Sequence, residues 1–77
     1  MSLNMTVQVT ESCTINARKL IQEKTETDTN GVALIVVSDV RIEGVEASCE
    51  VVGEDVIVTY AAGETGVGTA SFEAVLM

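Results

Sequence analysis

From residue 5 to residue 21 the odd positions carry Met5, Val7, Val9, Cys13, Ile15, Ala17 and Ile21, and the even positions are mostly threonine, glutamine, serine and asparagine. Alternation with a period of two is the mark of a strand with one buried face, so this span predicts strand. A helix competes over residues 14–24. There Ala17, Leu20, Ile21 and Lys24 share a helical face and Lys19 stands four residues before Glu23. The threonines and the alternation that begins upstream favour strand.

Asn30-Gly31 fits the centre of a type I′ turn, since both residue types tolerate the positive φ it requires. The register that follows sets Thr29 against Val32, Thr27 against Leu34, Thr25 against Val36, Ile21 against Val40 and Lys19 against Ile42. Past Gly44 the apolar phase moves from even positions (Val40, Ile42) to odd ones (Val45, Ala47, Cys49, Val51). A one-residue bulge at Gly44 accounts for that shift and predicts the pairs Ala17–Val45, Ile15–Ala47 and Cys13–Cys49.

Gly53-Glu54, with glycine first, suits a type II′ turn and sets Val51 against Val56, Cys49 against Val58 and Ala47 against Tyr60. A looser stretch, AAGETGVG, leads to a last strand in which Ala70, Phe72, Ala74 and Leu76 alternate with Thr69, Ser71 and Glu73. The expectation is an all-β domain over residues 5–77: a small antiparallel meander of five or six strands folded into a β-sandwich or barrel. A single sheet with one apolar face has to be covered, by folding over or by a second copy.

The run VALIVV, residues 32–37, is apolar on both faces. The turn register turns Val32, Leu34 and Val36 inward, and Ala33, Ile35 and Val37 are then left needing cover. A chain of 77 residues has little to spare for it. The sequence therefore predicts a homo-oligomer, a dimer or trimer, with Ala33, Ile35 and Val37 in the interface.

Charge narrows the partners. Twelve acids against four bases give a net charge of −8, and three of the bases, Arg18, Lys19 and Lys24, lie close together. Such a surface repels nucleic acid and anionic membrane, while 47% apolar content separates the chain from disordered acidic tails. MSLN ahead of a second methionine, Met5, reads as an expression leader over residues 1–4. With Met5 as the natural start no signal peptide precedes the domain, and a cytoplasmic or virion-borne protein is expected; the alternative is a signal sequence that has been replaced.

Candidate chemistry is sparse. Glu26, Asp28 and Asn30 alternate before Gly31 as the first ligands of a calcium loop do, but the twelfth position, where a bidentate glutamate belongs, is Val37. GETGVG has no lysine and no helical pattern after it, so it reads as a surface loop and not a phosphate cradle. Cys13 and Cys49 are read as two buried thiols or a disulfide. With no histidine in the chain there is no base to activate a thiol nucleophile, and two cysteines alone fall short of a metal site. Glu43, Glu46, Glu50, Glu54 and Asp55 have the spacing of a solvated strand face. No catalytic residue and no cofactor is expected.

The segment TDTNGVALIVV, residues 27–37, resembles the T-D-x-N-G-x-A stretch of bacterial immunoglobulin-like repeats of the invasin and intimin type. GVGTASFEAVL, residues 66–76, resembles their closing strand, and VTESCTINA, residues 9–17, is similar to secreted pilin-type domains. The chain departs from the repeat pattern in its length and in the stretch separating the two pieces. The resemblance implies a non-catalytic surface or virion module, in line with a structural or binding module that self-associates within a phage virion, pilus or cell-surface assembly. The alternative expectation is a small cytoplasmic β-barrel that binds a small ligand or metal ion.

Overall fold

The computed structural model describes residues 1–77 and is all-β with one short helix: β1 (Ser2–Val9), β2 (Cys13–Asn16), α1 (Ala17–Lys24), β3 (Ile35–Glu43), β4 (Ala47–Val52), β5 (Asp55–Tyr60) and β6 (Gly68–Leu76). β1, β6 and β3, in that order, form one antiparallel three-stranded sheet, and β2, β5 and β4 form the other. The chain passes between the sheets by short connections at residues 10–12, 44–46 and 61–67, and by a longer one, α1 with residues 25–34, at the opposite end. All three short passages join the end where Val9 faces Gly68 to the end where Ala47 faces Tyr60. The two sheets are thus halves of one three-stranded layer folded over on itself, with β5 and β6 central in each. The sandwich-like all-β architecture predicted from the alternation is what forms.

The meander is not what forms. Only β4 and β5 are both consecutive in sequence and neighbours in a sheet. Their two-residue turn has Gly53 at φ +62°, as a type II′ turn requires of its first central residue. Val51 faces Val56, Cys49 faces Val58 and Ala47 faces Tyr60, the predicted register in full. The other connections bend between sheets, so the remaining strands find partners distant in sequence. Residues 2–4 are part of β1, with Ser2 opposite Val75 and Asn4 opposite Glu73.

The strand predicted across residues 5–21 is instead two strands and a helix. Asn16 ends β2 and caps α1: its side-chain Oδ1 accepts the Lys19 N–H at 2.9 Å, and its Nδ2 donates to Asp55 at 2.9 Å. Ala17, Leu20 and Ile21, at helical spacing, are then buried together. The helix closes where the Thr25 N–H and hydroxyl both donate to the Ile21 carbonyl, at 3.0 and 2.8 Å. A side-chain cap and three apolar residues on one face outweigh the weak strand preference of the flanking threonines.

The hairpin at Asn30-Gly31 does not form either, although the chain does turn there. The Val32 N–H donates to the Thr29 carbonyl at 3.1 Å across these two residues, neither of which has a positive φ, so the turn is not type I′. Its flanks do not pair. Thr29 is buried and takes a hydrogen bond from the Gln22 side chain of α1. The turn is docked on the helix, which removes the ladder that would have set Thr27 against Leu34 and Ile21 against Val40.

The bulge sits elsewhere too. It lies in β3, between Ser38 (opposite Glu73) and Arg41 (opposite Ser71), where Asp39 takes φ +52°. Gly44, at φ +88°, instead marks the bend from β3 into the second sheet, where an added Cβ would lie 3.2 Å from the Val67 carbonyl. Ile35 and Val37 face inward ahead of the bulge, with Val40 and Ile42 packed against the core after it, so the phase shifts twice. With Val32–Leu34 outside any strand, the odd residues of the run fill the core. Ile35 is 2% and Val37 8% exposed, against 50% for Leu34 and 40% for Val36. Ile35 and Val37 are covered by the chain's own strands, and they are not interface residues of this fold.

The core joins Met5, Val9, Ala70, Phe72, Ala74 and Leu76 of the first sheet to Val56 and Val58 of the second and to Leu20 and Ile21 of α1. Phe72 is the only phenylalanine and lies in the central strand opposite Met5. Truncating it leaves a cavity among Ala70, Ala74 and other short side chains that cannot close it. Phe72→Ala is expected to cost about 3–5 kcal/mol, read as a lowered midpoint in urea unfolding at unchanged slope.

Candidate functional site

Two arrangements gather polar chemistry. The first is an ion pair at the end of the sandwich opposite the three short passages. Arg18, in the first turn of α1, donates from Nε to Oε1 of Glu54 at 3.0 Å and from Nη2 to Oε2 at 2.8 Å. Its remaining nitrogen, Nη1, donates to the carbonyls of Thr29 and Val32, at 2.9 and 2.8 Å. One guanidinium therefore ties the helix to the β4–β5 turn and to the 29–32 turn. The bidentate bond holds the Glu54 carboxyl below its usual range, outweighing the opposing effect of partial burial, with the Arg18 charge and the Ile35 N–H adding smaller contributions in the same direction. Both side chains are one-quarter exposed, so solvent screening weakens the pair.

The second arrangement is a shallow depression of about 300 Å³ on the outer face of the first sheet, lined by Asn4, Met5, Thr6, Asp39, Arg41, Ser71, Phe72 and Glu73. The bulge makes it. The extra residue in β3 bends the edge away from β6, and Asp39 holds a left-handed conformation that costs a non-glycine residue about 1 kcal/mol or more. Arg41 shares this lining with two carboxylates, Asp39 and Glu73, yet makes an ion pair with neither. The lining is polar and the depression open, unlike the enclosed apolar pocket of a typical small-molecule site. A smaller groove of about 220 Å³ runs between α1 and β2, lined by Thr14, Ile15, Asn16, Lys19, Leu20 and Glu23.

The residues singled out in the sequence are scattered. Glu26, Asp28 and Asn30 are all exposed, and the Asp28 carboxylate accepts the Asn30 N–H at 2.9 Å, an Asx turn. No three carboxylate, cysteine or histidine side chains converge as metal ligands. Among the carboxylates of the supposed solvated face, Glu54 is bound by Arg18 and Asp55 by Asn16, while Glu43, Glu46 and Glu50 are exposed. Ala33 is exposed beside Leu34.

GETGVG packs as a strut across the bend between sheets. Glu64 accepts the Glu46 N–H and its neighbour Thr65 N–H, each at 2.9 Å, which lowers its pKa. The Tyr60 hydroxyl lies 2.8 Å from the Gly66 carbonyl and 3.1 Å from that of Val9, a donor shared between the loop and β1. Nothing in the sequence pattern pointed to Arg18 and Glu54 as partners. Arg18 stood out only among the clustered bases, and Glu54 only as a turn residue and a member of the supposed solvated face.

Cys13 and Cys49 are both opposite Val58, one on each side of β5, and both thiols are free. They share a sheet and a face, but a strand separates them, because β2 and β4 each pair with β5 and not with one another. Two strand spacings put their Cα atoms roughly 9–10 Å apart, beyond the roughly 7 Å that a disulfide spans. Burial, and then the nearness of Cys13, push the Cys49 thiol up, away from the reactive thiolate.

No protein-family model, curated protein or solved structure matches the chain.

Glu54 makes stability depend on pH in a defined direction. A carboxyl whose folded pKa is depressed contributes stability above its unfolded value, about 4.3, and that contribution is lost as pH falls through the folded value. Glu54→Gln should melt below wild type at pH 7 and converge with it on acidification below about pH 4.3. An offset that does not change with pH would show that the pair contributes through shape and not charge. Mild oxidation of the folded protein should leave both thiols free by mass spectrometry, whereas a rapidly formed internal disulfide would contradict the placement of β5 between them.

Proposed function

We propose that the chain is a non-enzymatic structural module that self-associates within a larger assembly of the virion, pilus or cell-surface kind. The observation behind this reading is an apolar patch on the outer face of the first sheet. Leu34 and Val36 point outward, Val75 lies opposite Val36, and the Met77 N–H bonds to the Leu34 carbonyl at 2.9 Å, so Leu34, Val36, Val75 and Met77 adjoin. Leu34, Val36 and Met77 are among the most exposed large apolar side chains of the chain. None of them is needed by the core, and a contiguous patch of this kind is what a subunit contact covers. The resemblance to invasin-type repeats supports a module of the same class.

A second reading rests on the bulge: the strained Asp39 and the unpaired Arg41 would suit a small polar ligand carrying both charges. Chemical-shift changes confined to Asp39, Arg41 and Glu73 on addition of free amino acids would favour it.

Self-association is tested by light scattering. The wild type should show a mass above the 8.1 kDa of one chain at micromolar concentration, and Val36→Glu should lower it. A wild type that remains at 8.1 kDa at millimolar concentration would overturn the proposal.

A further inference from the structure

Each sheet has two edges, and three of the four are guarded. β3 is interrupted by its bulge and carries Asp39, Arg41 and Glu43; β4 carries Glu50; β2 is only four residues long. Charges, bulges and shortness are the ordinary devices that stop an edge from recruiting another strand. β1 has none of them. It runs eight residues, SLNMTVQV, with no charge, no proline, no glycine and no register shift against β6.

Which backbone groups of β1 are open follows from its first pair. Met1 and Leu76 exchange hydrogen bonds in both directions, at 2.8 and 3.3 Å. In an antiparallel ladder bonded and non-bonded pairs alternate, so the odd residues of β1 bond to β6. The even residues, Ser2, Asn4, Thr6 and Gln8, direct their N–H and carbonyl groups away from the sheet. These four have no partner within the chain, and their side chains are exposed, polar and uncharged.

We infer that β1 pairs antiparallel with β1 of a second copy, about a two-fold axis at Met5, to make a continuous six-stranded sheet. The sequence complements itself in that register. Ser2 faces Gln8 and Asn4 faces Thr6 of the other copy, and these even residues supply the open donors and acceptors. On the core face Leu3 meets Val7 and Met5 meets Met5, so apolar residues meet apolar ones along the strand. Shifting the register by one would set core residues against surface ones, and shifting it by two would leave the strand ends unpaired. The absence of charge matters because each copy carries −8: the molecules repel in general, and this uncharged edge is where two copies approach at least cost. This inference rests on the self-association proposed above and adds a second contact to the apolar patch.

The test uses Val36→Glu as background, so that the apolar patch no longer contributes. In it the chain should still weigh twice 8.1 kDa by light scattering, and adding Thr6→Pro should return it to 8.1 kDa. Proline at Thr6 removes an outward N–H and leaves the bonds to β6 intact, which an edge strand tolerates. Wild-type hydrogen exchange gives a readout that does not depend on that variant folding: the Asn4, Thr6 and Gln8 amides should gain protection as concentration rises. A wild type that associates while these amides exchange freely, or a Val36→Glu chain that is already monomeric, overturns edge pairing and leaves self-association standing. A monomeric wild type overturns both.

Discussion

A sandwich made by folding one layer over is tied here by three short connections at one end and by a single long one, through α1, at the other, and the long one has to be fixed in place. The guanidinium of Arg18 does this. The three short passages between sheets lie beside Gly68 and Tyr60; at the far end the chain leaves β2, turns through α1 and returns to the start of β3. Arg18 stands at that departure, grips Glu54 at the tip of the β4–β5 hairpin and holds the carbonyls of the segment leading into β3. A planar fork with five donors can satisfy a carboxylate and two carbonyls together, whereas an ammonium at this position could not match that geometry. The same contacts dock the 29–32 turn on the helix. Once docked, that turn delivers Ile35 to the core and Leu34 to the surface.

What the sequence disclosed tracks how local each determinant is. The β4–β5 hairpin was legible to the residue, because a glycine that must take positive φ sits between two cleanly alternating runs and fixes register by itself. The alternation of the last strand was legible for the same reason, as every even residue from Gly68 to Leu76 is buried. Asn30-Gly31 offered an equally strong turn signal and misled, since the partner of its flanks is the helix and not each other. A turn residue specifies where the chain bends, but only the flanking faces specify what it bends against.

The helix and the bulge were hidden by degeneracy in the pattern. Ala17, Leu20 and Ile21 satisfy helical spacing and Ile15, Ala17 and Ile21 satisfy strand spacing, so periodicity could not decide; the Asn16 cap did. Residues 32–37 are apolar in both phases, so a register shift just after them leaves no gap in the hydrophobic pattern. The first visible sign of it falls at Gly44, five residues past Asp39, where a second shift occurs for a different reason: the chain changes sheet. The candidate site inherits this blindness. Arg41, Asp39 and Glu73 converge only because β3 bulges opposite Phe72, and none of the three belongs to a motif.

The bulge also divides the first sheet into two unlike edges. An extra residue near the middle of β3 twists that edge and turns Asp39 and Arg41 outward, so it cannot lie flat against another strand. β1 is held to β6 in unbroken register over its whole length. In a sheet of only three strands both outer strands are edges, and guarding one while leaving the other smooth gives the sheet a single direction in which it can grow. A sheet that extends on one side only, through a strand that complements itself, closes as a two-fold pair; growth through two unlike edges would give an open filament. On the pairing proposed above, the asymmetry between β3 and β1 favours a closed dimer over a fibre as the sheet's mode of extension, and it leaves the patch at Leu34 and Val36 outside that contact.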